Sequence, residues 1–146
     1  MGIGDQLLNT DNKDLVVQDC CDMIDVQLAS KSGLSGMALK TAFAALKGIK
    51  PNYIRDVVEL LLPSFFVAVD PLWQQGTEEG DPVGYLTANS AQTADVLLSV
   101  TDEKVNNIQR QIVKGIYQKF RNSASKHVEE AVPDFAQIIG KYLILS

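Results

Sequence analysis

The chain has 146 residues, 46% of them hydrophobic and 21% charged, with a formal net charge of -5. That length buries enough surface for one domain without a metal or a disulfide, and the composition excludes a disordered, collagen-like or disulfide-rich protein. The acidic balance, with a pI near 4.7, argues against a dedicated nucleic-acid binder.

The amino-terminal run MGIGDQLLNTD lacks the basic and apolar regions of a signal peptide, and Gln6 stands where a myristoylation motif wants Ser or Thr. A cytoplasmic location is expected. Residues 5–9 can make one helical turn, and Asp11 and Asn12 offer N-cap oxygens to a helix from Lys13 to Ser30. Val17, Cys21, Ile24 and Leu28 form its apolar stripe, opposite Gln18, Asp19, Asp22 and Asp25. The acids read as a solvated face, because a cation site needs a shaped loop or several facing helices. Cys20 and Cys21 are adjacent and cannot bridge to each other without strain, so both are expected as buried free thiols. With a single His in the chain, no metal set is completed.

KSGLSG punctuates the chain, with Gly33 able to take a positive φ and Ser35 able to cap a helix to about Lys47. Its Ala-rich interior around Phe43 predicts a packing surface. GLSG has neither the spacing of a phosphate loop nor that of a nucleophile elbow. Gly48 closes this helix, and Pro51 and Asn52 open PNYIRDVVELLLPSFFVAVDPLW, residues 51–73, the densest apolar run in the chain. Arg55, Asp56, Glu59 and Pro63 interrupt it too often for a membrane span, so it is expected as the core helix. Pro63 predicts an end or kink near Leu61, and Asp70–Pro71 a turn carrying Trp73.

QQGTEEGDP, residues 74–82, reads as a loop, after which Asp81 caps and Pro82 opens a short helix through Ala88. A helix from Ser90 to Val100 follows, and Thr101 is expected to cap a longer one from Asp102 to about Arg121, with Val105, Ile108, Ile112, Ile116 and Phe120 as its stripe. A pause at NSAS, residues 122–125, and a break at Pro133 precede a last helix with Ile138, Ile139, Tyr142 and Leu143 on its apolar face. No stretch alternates with period two. The chain reads as all-α, a single domain over 1–146, built as an irregular globular bundle of six or seven helices with a kinked central apolar helix.

Few residues offer chemistry. His127 and Glu130 lie one helical turn apart and are the candidates for a catalytic pair, against the plainer reading of His127 as a surface residue. Their order reverses the Glu-x-x-His of di-iron bundles and is not repeated, and no cofactor is implied. Trp73, Tyr85, Tyr142 and Leu143 are candidates for a ligand-binding or interface surface.

The runs GLSGMALKTAFAALKGIKP, LLPSFFVAVDPLW, LLSVTDEK and KHVEEAVPDF, in this order and at these distances, resemble a family of small bacterial proteins of actinobacteria and cyanobacteria that carries only a label of unknown function. The resemblance covers nearly the whole chain. It implies a bacterial protein and transfers no catalytic or binding residue.

Charge is arranged in blocks. Residues 31–55 carry bases only, 56–103 acids only, and 104–126 bases again once Glu103 is passed. Such blocks can neutralise one another inside the fold or face an anionic partner; the first is expected, with Arg110, Lys114 and Arg121 on one face against acidic helices. Three functions stay open. The favoured one is a non-catalytic module that binds a protein partner or itself through an apolar surface near the carboxyl-terminal YLIL. The second is a carrier of a small apolar ligand or lipid, which needs a closed apolar cavity of several hundred Å³. The third is an enzyme, which needs His127 in a concave pocket.

Overall fold

Seven helices and their connections make up residues 2–8 and 12–144, the part of the chain that this computed structural model describes, Ile144 by its backbone alone. They are α1 (Ile3–Leu8), α2 (Lys13–Ser30), α3 (Gly33–Lys47), α4 (Tyr53–Glu78), α5 (Pro82–Ala88), α6 (Ser90–Asn106) and α7 (Gln111–Ile144). The fold is all-α, and no strand occurs among the described residues. Asp11, expected to help cap α2, lies outside them.

The core is organised by α4. Val58, Leu62, Phe66, Val69, Leu72 and Trp73 recur at helical spacing and are buried, so one face of this 26-residue helix is removed from water along its length. Each such side chain contributes about 1.5–3 kcal/mol by burial. Phe66, fully buried, stacks on Phe135 of α7 with ring centroids 6.0 Å apart and planes inclined by 12°. Ile3 and Leu7 of α1, Val16, Val17 and Cys20 of α2, Leu86 of α5, Ala94 and Leu97 of α6, and Val132, Ala136 and Ile139 of α7 complete one apolar cluster. α3 contributes nothing to it.

Several boundaries differ from those the sequence predicts, each for a local reason. α4 is unbroken through Pro63 and Pro71, and the 34-residue α7 through residues 122–125 and Pro133. A proline deprives the carbonyl four residues earlier of its donor, at a cost of about 3 kcal/mol in a helix interior. Here those carbonyls belong to Glu59, Val67 and Glu129, all at exposed positions where water can replace the lost bond. The loop expected over 74–82 shrinks to three residues, because α4 continues to Glu78. Gly80, at φ +88°, ends it: Asp81 N–H donates to Gly76 O and Gly80 N–H to Thr77 O, both at 3.0 Å, the reciprocal closure of a Schellman turn. Thr101 caps nothing; its hydroxyl donates to Leu97 O at 3.0 Å inside α6, which ends instead at Asn106 with Asn107 as its C-cap.

Other expectations hold. α2 spans the predicted residues, although its most buried positions are Val16, Val17 and Cys20 rather than the stripe through Cys21 and Leu28. Gly33 has φ +75°, but Ser32, not Ser35, precedes the first turn of α3. Asp81 accepts from Gly84 N–H at 3.0 Å and Pro82 opens α5. Leu61 is half-buried, and the core position is its neighbour Leu62.

α4 and α5 meet more closely than any side chain permits. A Cβ on Gly76 would lie 2.6 Å from Pro82 Cα and 2.7 Å from Tyr85 Cβ, so even one methyl must push α5 away. Gly76→Ala is expected to lower stability by about 1–3 kcal/mol despite the better helix propensity of Ala, read as a lower midpoint in thermal or urea unfolding; an unchanged or raised midpoint would show that this contact yields freely.

Candidate functional site

α3 is the one long helix that the core does not claim. Its sequence, GLSGMALKTAFAALK, holds eleven apolar residues if its two glycines are counted, yet only Gly36 and Ala42 are buried. Leu34 is 89% exposed and Met37 66%. With Thr41, Ala44 and Ala45, also exposed, they form an outer face at three- and four-residue spacing, flanked on one side by Lys40 and Lys47. An open groove of about 300 Å³ runs beside that face, lined by Leu28 and Ala29 of α2 and Lys40, Phe43, Ala44 and Lys47 of α3. The helix is anchored at its base. Lys31, in the α2–α3 turn, is buried and donates from Nζ to Glu130 Oε2 of α7 at 2.8 Å, and the missing side chain of Gly36 makes room for the Lys31 backbone, 2.9 Å from where its Cβ would stand.

Of the two catalytic candidates read from the sequence, Glu130 belongs to the pair at this anchor. Glu130 is held below the usual carboxylate range, first by its bond from Lys31. His127 is not a surface residue: it is 8% exposed, and neither ring nitrogen has a hydrogen-bond partner. It is therefore a buried group whose polar atoms have no partner within the described protein, an arrangement that costs free energy. Neither the α2–α3 groove nor the second groove, between α6 and α7, includes His127.

The aromatic candidates are also drawn inward. Trp73 is buried in the core cluster. Tyr85 packs against it and donates to Gln75 Oε1 at 2.5 Å, bridging α5 to α4. Tyr142 and Leu143 pack on the same cluster, and the Tyr142 hydroxyl donates to Asp19 Oδ2 at 2.6 Å, beside a 3.1 Å contact from Lys141 Nζ. Burial pushes the Asp19 carboxyl up, but these two donors outweigh it and leave it below its ordinary value. The side chain of Ile144 and all of Leu145, the end of YLIL, lie outside the described residues.

A second polar cluster, which sequence reasoning missed, joins α6 to α7. Asp102 accepts from Arg121 Nε at 2.8 Å and Nη2 at 3.0 Å, and from Tyr117 Oη at 2.5 Å. The Arg121 bonds are the largest influence holding Asp102 below its ordinary value. Arg121 thus meets an acidic helix as expected. Arg110 does not, because it precedes α7 instead of sharing its face, and neither it nor Lys114 makes an ion pair among the described residues. The signal for the cluster was present in the acidic end of one block and the basic run of the next, but the turn at residues 107–110 had to be known to bring them together.

Burial raises the Cys20 thiol to about 12, whereas Cys21 is half-buried and only the first is core. No group of three or more metal-ligating side chains gathers among the described residues, and no helix there is long and apolar enough to cross a membrane.

A family model described as a family of unknown function, DUF6918, matches residues 3–143. The chain belongs to DUF6918. Neither the curated proteins nor the solved structures contain a match to it, so the DUF6918 fold is read from its own contacts.

Two outcomes test the polar clusters. His127→Leu removes two unpaired buried nitrogens at similar volume and is expected to leave the melting temperature unchanged or raise it; a marked fall would mean that the imidazole has a partner in solution. Asp102→Asn is expected to lower the melting temperature at neutral pH. Because the folded-state pKa of Asp102 lies below its unfolded value, its contribution is present above about pH 4 and is lost as pH falls through the folded pKa. The difference between variant and parent should shrink on acidification, and a constant difference would exclude the charged pair as its source.

Proposed function

We infer that the protein is a non-catalytic helical module that works by binding another protein surface through the outer face of α3. One observation carries this reading: a long helix rich in apolar residues adds no side chain to the main apolar cluster and turns Leu34 and Met37 to solvent. Conventional helices in a bundle bury their apolar stripe, and an exposed one marks an interaction surface. The groove beside it extends the same surface, and Lys40 and Lys47 give it a polar rim of one sign. The binding surface is thereby moved from the carboxyl-terminal YLIL, whose Tyr142 and Leu143 are engaged internally, to α3. A bacterial cytoplasm, the setting implied by the sequence, is the proposed location.

The carrier reading has less support, because the apolar groove is open and would leave much of a ligand in water. The enzyme reading loses its pair, since Glu130 serves Lys31 and His127 faces neither groove.

A photo-crosslinking amino acid at Met37, introduced in cells that make the protein naturally, is expected to give discrete higher-mass adducts. The same group at Gln92, an exposed position on α6, is the control. Equal labelling at the two positions, or none at Met37, would remove α3 as the binding face.

A further inference from the structure

We propose that the surface received by α3 is a second copy of this chain, presented by the solvent face of its α4. This rests on the reading of α3 as the binding face and names its partner. α4 is apolar on two sides. Opposite its buried stripe, Leu60 (57% exposed), Pro63, Val67 (73% exposed) and Pro71 form an outer stripe. Their spacing of three, four and four residues is also that of Leu34, Met37, Thr41 and Ala45 on α3. The two stripes are therefore equal in length and periodicity and can lie along one another. Ala44, Ala45 and Gly48 keep the α3 side low, which permits close approach of the larger side chains of α4.

The charges match as well. α3 carries Lys40 and Lys47, and no acid occurs from residue 31 to residue 55. Asp56 and Glu78 fall in line with the two ends of the α4 stripe and Glu59 flanks it, in a segment without a base from residue 56 to residue 103. Both faces point away from the body of their own molecule, so neither can satisfy the other within one chain. In a two-fold pair each α3 meets the partner's α4 and each α4 the partner's α3, which covers both stripes of both chains and closes the assembly. An anionic membrane would also suit Lys40 and Lys47, but it would leave the α4 stripe uncovered and bring a chain of net charge -5 to a negative surface. The second copy accounts for both faces.

Charge reversal tests this without touching the core. Lys47 pairs only with exposed Asp25, at 3.9 Å, and exposed Glu59 with half-buried Arg55, at 3.5 Å, so reversing them costs the fold little. In sedimentation equilibrium over a concentration series, the parent protein is expected to reach twice the mass of one chain. The Lys40→Glu/Lys47→Glu variant and the Glu59→Lys/Glu78→Lys variant should each associate about tenfold or more weakly, because both contacts of each homodimer then oppose like charges. An equimolar mixture of the two should regain the doubled mass: one contact is then the original pairing and the other its mirror in sign. That rescue also shows both variants to be folded. A parent that stays monomeric, a reversed variant that dimerises as the parent does, or a mixture no heavier than its components would overturn the proposal. A monomeric parent that still forms Met37 adducts with a different protein would leave α3 as a binding face with a heterologous partner. A monomeric parent that co-sediments with phosphatidylserine vesicles would assign that face to anionic lipid.

Discussion

Phe66 of α4 stacked on Phe135 of α7 joins the two longest helices through their side chains, and the rest of the core gathers about that contact. α4 and α7 together supply the length along which the shorter helices find apolar surface. α1 closes over both, burying Ile3 and Leu7, and α5 and α6 fill the remaining sides with Leu86, Ala94 and Leu97. Loss of the Phe66 ring would open a cavity at the centre instead of the edge, where surrounding helices have least freedom to collapse. The absence of a side chain at Gly76 belongs to the same constraint, since α5 can reach the core only by riding directly on the α4 backbone.

Much of this was legible in the sequence, and the exceptions share a cause. Where a boundary is set by a local hydrogen bond, as at Asp81–Pro82, sequence and structure agree to the residue. Pro63 read as an end or kink, Pro71 as part of a turn and Pro133 as a break, because sequence shows the missing donor but not whether the orphaned carbonyl faces water. Thr101 looked like a cap because its hydroxyl can serve either a new helix or the preceding turn, and tertiary packing chose the turn. α3 misled in the other direction. Its composition marks it as a packing surface, yet composition cannot say whether the partner belongs to the same molecule. The candidate site was accordingly the least legible part: Leu34 and Met37 are ordinary core residues in any sequence, and only their exposure sets them apart.

The polar contacts have a distinct part. Lys31–Glu130, Lys141–Asp19 and Arg121–Asp102 join the α2–α3 turn, α2 and α6 to α7, so the charge blocks of the sequence are partly spent in fixing how the other elements sit on that helix. Surface pairs of this kind add little stability. Their value is in register, because an apolar stripe alone tolerates rotation and sliding that a bidentate Arg121–Asp102 contact does not. Lys31 is the special case. Its ammonium is buried and its partner half-exposed, so the turn that leads into α3 is tied to α7 by one carboxylate.

The position of α7 in the chain has a consequence for synthesis. α1, α2, α3, α5 and α6 all pack against it, and it is the last of the described helices to leave the ribosome. Until Val132, Phe135 and Ile139 emerge, the inner faces of α1 and α2 and the Phe66 ring have no complete covering, however well each helix has formed. The entropic cost of joining sequence-distant ends falls due in one late step, with local contacts among α4, α5 and α6 ready beforehand. A ribosome stalled inside α7 would therefore release a polypeptide with nearly all its helices and an open core, a substrate for chaperones and proteases.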